Sequence, residues 1–230
     1  MDERHATLLQ AIVEEYIASA QPVGSQSLVS RYNLEVSPAT VRNWCADLEA
    51  EGLLMQPHTS GGRIPTELGF QTYVTRFVVP KSCPKRERDL LERAYLAEED
   101  PERRLKALAK TLADTSELAV VAALGEADTY YTGLSYLFSQ PEFHDWQRVV
   151  SLTEVLDRLD DALLKTRMVR LEDPRILLGT DCPFGQACGT VLLSVGSSMI
   201  GVLGPMRMEY QTVYRFMLAV RDIISSHSLS

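Results

Sequence analysis

The stretch from residue 5 to residue 77 constrains the fold most tightly. Its apolar residues recur at helical spacing, but strong breakers cut the pattern into short pieces. Leu8, Leu9, Ile12, Val13, Tyr16 and Ile17 repeat at i, i+3 and i+4, which predicts a helix over 5–19. Gln21-Pro22-Val23-Gly24 ends it. Ser25 is read as the N-cap of a short second helix running to Tyr32, and residues 33–36 as a turn. Ser37 is a good N-cap for a third helix, and Pro38 fits the first helical position, where its missing N–H costs nothing. Val41, Cys45 and Leu48 mark the buried stripe of that helix, and Gly52 suits its stop. Short strands at Leu53–Gln56 and near Arg63-Ile64 flank the polar turn Pro57-His58-Thr59-Ser60-Gly61-Gly62. Pro65-Thr66 then starts a fourth helix carrying Phe70, Tyr73, Val74 and Phe77.

Three short helices followed by a glycine-tipped hairpin is the order of a winged helix-turn-helix. In such a unit the second helix braces the third, and the third lies in the major groove. With Val41, Cys45 and Leu48 packed inward, Ala39, Arg42, Asn43 and Ala46 point outward. Arg pairs with guanine, Asn with adenine, and Ala touches a thymine methyl. Gly24 and Ser25 open a helix whose free N–H groups can hold a phosphate. Arg63 on the hairpin is placed to reach a phosphate or the minor groove. Each feature also has a plainer reading. Arg42 and Asn43 are ordinary on a solvated helix face, any tight hairpin uses glycine, and Trp44 is read as packing on the small core.

The rest of the chain changes character. Residues 79–88 form a linker with two prolines and a basic run. Helical patterns return over 89–113, with Leu105, Leu108, Ala109 and Leu112 on one face. A buried strand is expected at 118–124, helices at 133–139 and 145–167, strands at 175–179, 189–195 and 199–204, and a helix at 209–226. The fold class is therefore α+β. Residues 1–78 form the winged helix DNA-binding domain, 79–88 the linker, and 89–230 an α/β domain for dimerisation or regulation.

Composition excludes several classes. Of 230 residues, 45% are hydrophobic and 23% charged, which rules out whole-chain disorder. No apolar run reaches the roughly 18 residues of a membrane span, so no membrane partner is expected. Asp2, Glu3, Glu14 and Glu15 exclude a secretory signal, and a soluble, cytoplasmic protein is expected. The net charge of −8 argues against general affinity for nucleic acid. Residues 1–77 carry five Arg, no Lys and nine acids, a net of −4. Arg31, Arg42 and Arg63 are left as a small basic patch, with Glu14 and Glu15 turned away. Cys45, Cys83, Cys182 and Cys188 lack zinc-site spacing and are read as reduced thiols. Nucleophile-elbow, phosphate-loop and zinc-protease motifs are all absent, so no enzyme, cofactor or metal is expected.

Six stretches carry a resemblance. They are 11–16, 22–25, 36–43, 56–66, 133–143 and 201–210, the last running Gly201-Val202-Leu203-Gly204-Pro205-Met206-Arg207-Met208-Glu209-Tyr210. Together they resemble the bacterial heat-inducible transcription repressor HrcA family. That resemblance implies an N-terminal winged helix and a GAF-like domain with a dimerisation domain inserted into it. It implies a homodimer that represses chaperone genes from an inverted-repeat operator in double-stranded DNA, with the chaperonin GroEL as a further partner. It places Arg42 and Asn43 in the reading helix and Arg63 in the wing. Taken with the spacing argument, the expected DNA-binding residues are Gly24, Ser25, Ser37, Ala39, Thr40, Arg42, Asn43, Ala46, His58, Thr59, Ser60 and Arg63.

The chain also departs from the family. Leu118–Leu124 runs almost directly into Tyr130–Phe143, so the inserted dimerisation domain is expected to be absent and the GAF-like domain reduced. Dimer contacts would then fall on 89–113 or on the stripe Val213, Tyr214, Met217, Val220 and Ile224, unless both pack on their own domain. Trp44 stands where the family has an acid, and Gly61 where it has Ala. Arg207 is read as structural, binding a helix end. Two further readings stay open: a regulator controlled by a small ligand, and an interaction protein that has kept the fold without the operator.

Overall fold

The computed structural model describes residues 1–32, 35–57, 61–124, 128–143 and 172–227. The expected helix at 145–167 and the turn residues His58, Thr59 and Ser60 lie outside them. The chain forms two compact units, Met1–Val78 and Val79–Ser230.

In the first unit, helix α1 (Glu3–Ser19) starts at Asp2, whose carboxylate accepts from the His5 amide. Its C-cap residue Ala20 takes a left-handed conformation, and its N–H closes the last turn on Tyr16. Helix α2 (Ser25–Tyr32) begins at Ser25 itself. The Gly24 carbonyl accepts the first helical bond, from the Leu28 N–H at 3.2 Å, so Ser25 is not the N-cap. Helix α3 (Pro38–Ala50) has Ser37 as N-cap and Pro38 in its first turn. Strands β1 (Leu54–Met55) and β2 (Ile64–Pro65) form the hairpin, and α4 (Glu67–Phe77) starts at the N-cap Thr66. Leu8, Leu9, Ile12, Leu28, Val41, Leu48, Phe70 and Tyr73 fill the core. Full burial of such side chains stabilises by roughly 1.5–3 kcal/mol each.

The second unit carries a five-stranded antiparallel sheet in the order β4-β3-β7-β6-β5. Its strands are β3 (Ala119–Leu124), β4 (Asp128–Thr132), β5 (Arg175–Leu178), β6 (Cys188–Val195) and β7 (Ser198–Pro205). The α-helices among the described residues are α5 (Lys85–Leu96), α6 (Pro101–Ser116), α7 (Leu134–Phe138) and α8 (Tyr210–His227). One expectation is corrected here. The last four residues of the expected linker, Lys85 to Arg88, are already the first turn of α5. The helical patterns over 89–113 are divided between two helices, because Asp100 caps a new one and Pro101 occupies its first turn.

Both faces of the sheet are covered. Ala119, Val121, Leu192, Met199 and Leu203 share one face and pack with Leu137, Phe143 and Phe184. Gly189 opens the other face to α8: a Cβ there would lie 2.3 Å from the Tyr210 hydroxyl. That hydroxyl donates to the Met206 carbonyl at 2.6 Å. Arg207 pairs with Glu142 and donates to Gln140 Oε1 at 3.0 Å, tying β7 to the turn after α7 as a structural residue. Both expected dimer stripes are consumed within this unit. Leu105, Leu108, Ala109, Leu112, Val213, Met217, Val220 and Ile224 are all buried, while Tyr214 is half-buried. Only three residues separate Leu124 from Asp128, which are paired in register, so β3 and β4 are directly joined.

Candidate nucleic-acid interface

The candidate interface is built on α3. Its start is fixed chemically: Ser37 Oγ accepts from the Thr40 N–H at 3.1 Å and lies 2.9 Å from Thr40 Oγ1. Its end is fixed by Gly52 at φ +75°, a conformation that L side chains resist. The Gly52 N–H reaches the Glu49 carbonyl and the Leu53 N–H reaches the Leu48 carbonyl, both at 2.9 Å. This double closure is a Schellman motif, and it turns the chain straight into the hairpin.

Between those ends the helix divides by face. Val41, Cys45 and Leu48 are buried. Burial pushes the Cys45 thiol up to about 11, so it is a neutral packing residue. Ala39, Arg42, Asn43 and Ala46 are exposed together on the opposite side, and Thr40 is half-buried. Trp44 stands at the edge of that face, with the Arg4 guanidinium 5.9 Å above its ring and the His5 ring edge-on at 6.3 Å. His5 also spans Asp2, at 2.9 Å, and Asp47 of α3, at 3.3 Å. These contacts hold the start of α1 against α3.

The hairpin is tied in by its backbone. Val23 and Arg63 exchange two hydrogen bonds of 2.9 Å, an antiparallel bridge beside the start of α2. Gly62 makes the bridge possible, since a Cβ there would lie 2.5 Å from both the carbonyl carbon and the oxygen of Val23. Gly69 plays the same part in α4, where a Cβ would meet the Leu53 oxygen at 2.1 Å. Gly24 and Ser25, half-buried at the start of α2, sit next to this bridge.

The small basic patch expected of Arg31, Arg42 and Arg63 is not assembled. Arg31 pairs with Glu15 across α2 and α1, so that acid faces the patch instead of turning away. Arg63 Nε lies 2.7 Å from Glu49 Oε1, and Arg63 Nη1 donates to the Gly61 carbonyl at 3.4 Å. Arg63 thus braces the hairpin against α3. Arg42 is left as the one of the three with no ion pair among the described residues. Glu15 and Glu49 are the residues that reading the sequence missed. They lie 16 and 14 positions from their partners, and nothing in local spacing announces the pairs.

A chain with two such units, one presenting a capped helix beside a hairpin and one a helix-covered antiparallel sheet, can be compared with known proteins. The sequence model described as the HrcA protein C terminal domain matches residues 74–214, and the chain belongs to the HrcA family. A protein of Moorella thermoacetica named heat-inducible transcription repressor HrcA is 42% identical over 118 residues, 51% of this chain and 33% of that protein. One of the same name from Carboxydothermus hydrogenoformans is 46% identical over 95 residues, 41% of this chain and 28% of that protein. The matched part is therefore about a third of each relative's length. A crystal structure of a hypothetical protein shares the fold, with a TM-score of 0.79 and 17% identity over 98% of both chains. Among the described residues no helix is long and apolar enough to cross a membrane.

Proposed function

We propose that the first unit is a winged helix-turn-helix and that the chain is a sequence-specific, DNA-binding transcriptional repressor of heat-shock genes. The observation that carries this reading is the exposed face of α3, where Ala39, Arg42, Asn43 and Ala46 stand together between two chemically fixed ends. Arg42 and Asn43 read base edges in the major groove, and Ala39 and Ala46 admit thymine methyl groups. Gly24, Ser25, Ser37 and Thr40 are the sugar-phosphate contacts at the two helix starts, and His58, Thr59 and Ser60 are further DNA contacts in this reading. Arg63 serves the interface by bracing it.

The second unit is a reduced GAF-like domain. The protein acts as a homodimer on an inverted repeat, because two-fold protein symmetry and palindromic sites go together. The dimer contact lies outside the α6 and α8 stripes, which are spent on the unit's own core. Chaperonin control, as the family resemblance implies, is part of the same reading.

Selection of binding sites from random-sequence DNA tests this function. Recovery of an inverted repeat, protected from cleavage in two half-sites about one helical turn apart, is expected. Recovery of no common sequence would overturn it. A ligand-controlled regulator is the second reading, favoured by a cavity of about 490 Å³ between the β6–β7 turn, α6 and α8.

A further inference from the structure

The first residues of the second unit lie against α8. The Val79 N–H donates to Gln211 Oε1 at 3.2 Å, and Gln211 Nε2 donates back to the Val79 carbonyl at 2.8 Å. Just beyond that clasp is a cavity of about 390 Å³ bounded by residues 80–83, the first turn of α5 and one side of α8. Four cationic side chains line it, Lys81, Arg88, Arg215 and Arg221, against the carboxylates of Asp173 and Asp222. Both carboxylates are already taken by Arg221, which pairs with Asp173 and holds Asp222 at 2.8 Å. Lys81, Arg88 and Arg215 have no ion pair among the described residues.

One atom makes the site specific. Arg215 Nε is buried without a hydrogen-bond partner among the described residues. A buried donor left without an acceptor is costly, so folded proteins rarely keep one unless another group satisfies it. Glu87 is a further charged group near Cys83. It stands outside the lining, one of its carboxylate oxygens is also buried and unpartnered, and it raises the Cys83 thiol while Arg215 and Arg88 lower it. Three unpaired cations around one concavity, in a chain of net charge −8, form a local reversal of sign.

We propose that this cavity binds a small phosphate-bearing anion, with Lys81, Arg88 and Arg215 as its donors. A guanidinium presents parallel N–H groups that match two oxygens of one phosphate, and an ammonium adds a third contact from a flexible stem. The volume is at the small end of ligand pockets, which run from roughly 300 to 1,000 Å³. It suits a phosphate ester of a small organic group, or phosphate alone. The site is independent of the DNA-reading assignment, because every residue in it belongs to the second unit.

Isothermal titration of the intact chain with inorganic phosphate, at constant ionic strength, tests the site. Saturable binding is expected, weakened about tenfold or more in Arg215→Met and in the double variant Lys81→Gln/Arg88→Gln. Lys81 and Arg88 are exposed, so the double variant keeps the native circular dichroism spectrum even if Arg215→Met does not fold. Absence of saturable heat, or equal affinity in the double variant, would overturn the proposal. So would displacement of phosphate by random-sequence DNA whose own affinity falls in the same double variant, since that would assign the cations to a nucleic-acid backbone.

Discussion

Arg63 on the hairpin and Glu49 on the last turn of α3 approach to 2.7 Å, with 20% and 26% of their side chains exposed. The pair joins two elements that the Schellman turn at Gly52 sends in different directions. Each partner is withdrawn from most of the solvent, so removing one leaves a partly buried charge behind. Glu49→Ala is expected to lower the stability of the first unit by about 1 kcal/mol, read as a shift in the urea midpoint. An unchanged midpoint would show that the brace carries no weight.

Arg42 makes the opposite case. Its side chain is exposed and forms no ion pair among the described residues, so Arg42→Ala should leave stability within about 0.5 kcal/mol. If it pairs with a guanine, the same change weakens binding to the preferred site by roughly 1–3 kcal/mol and relaxes preference at one base pair. Affinity measured across single-base variants of that site checks both halves.

Gly62 and Gly69 are close-approach glycines. A methyl group at Gly62 would press on the Val23 backbone at 2.5 Å, and one at Gly69 on the Leu53 oxygen at 2.1 Å. Neither neighbour is a flexible side chain that can swing aside. Each Gly→Ala change is expected to cost about 1–3 kcal/mol. Thermal unfolding followed by far-ultraviolet circular dichroism reports it, and wild-type melting in either variant would refute the contact.

The second unit should lose stability in alkali. Burial pushes the Cys182 and Cys188 thiols up to about 12 from an ordinary value of 9.0, and raises the buried Tyr210 phenol as well. Above about pH 9 the unfolded chain releases these thiol protons while the folded chain retains them. Unfolding is then favoured, so stability present in full below pH 9 is lost progressively towards about pH 12. The same burial predicts that a thiol reagent at pH 8 reaches the half-buried Cys83 in the native protein, with Cys45, Cys182 and Cys188 reacting only on unfolding. Equal labelling of all four would contradict the packing.

What the sequence announced, and what it hid, divides along physical lines. Ser37-Pro38 and Gly52 set the limits of α3 through local backbone chemistry, and the helical spacing of Val41, Cys45 and Leu48 set its buried face. Those features are legible because each depends on residues within a turn of one another. Asp100-Pro101 carries the same kind of signal for the start of α6. Strand β4 was missed because Asp128-Thr129-Tyr130-Tyr131-Thr132 has little apolar alternation, although its β-branched and aromatic residues favour a strand. The pairs Glu15–Arg31 and Glu49–Arg63 were hidden for a different reason. Their partners meet only once helices and hairpin have packed, so two of the three arginines of the basic patch inferred from residue types are neutralised in the fold.

In the proposed function, the exposed face of α3 reads a specific DNA sequence. The most direct test is a fluorescence anisotropy titration of the purified chain against DNA from upstream of its own chaperone genes, at two salt concentrations, with scrambled DNA as competitor. Binding that survives the competitor, depends on protein concentration as a dimer requires, and weakens in Arg42→Ala is the predicted result. Equal, weak and salt-sensitive binding to both DNAs, unaffected by Arg42→Ala, would contradict it.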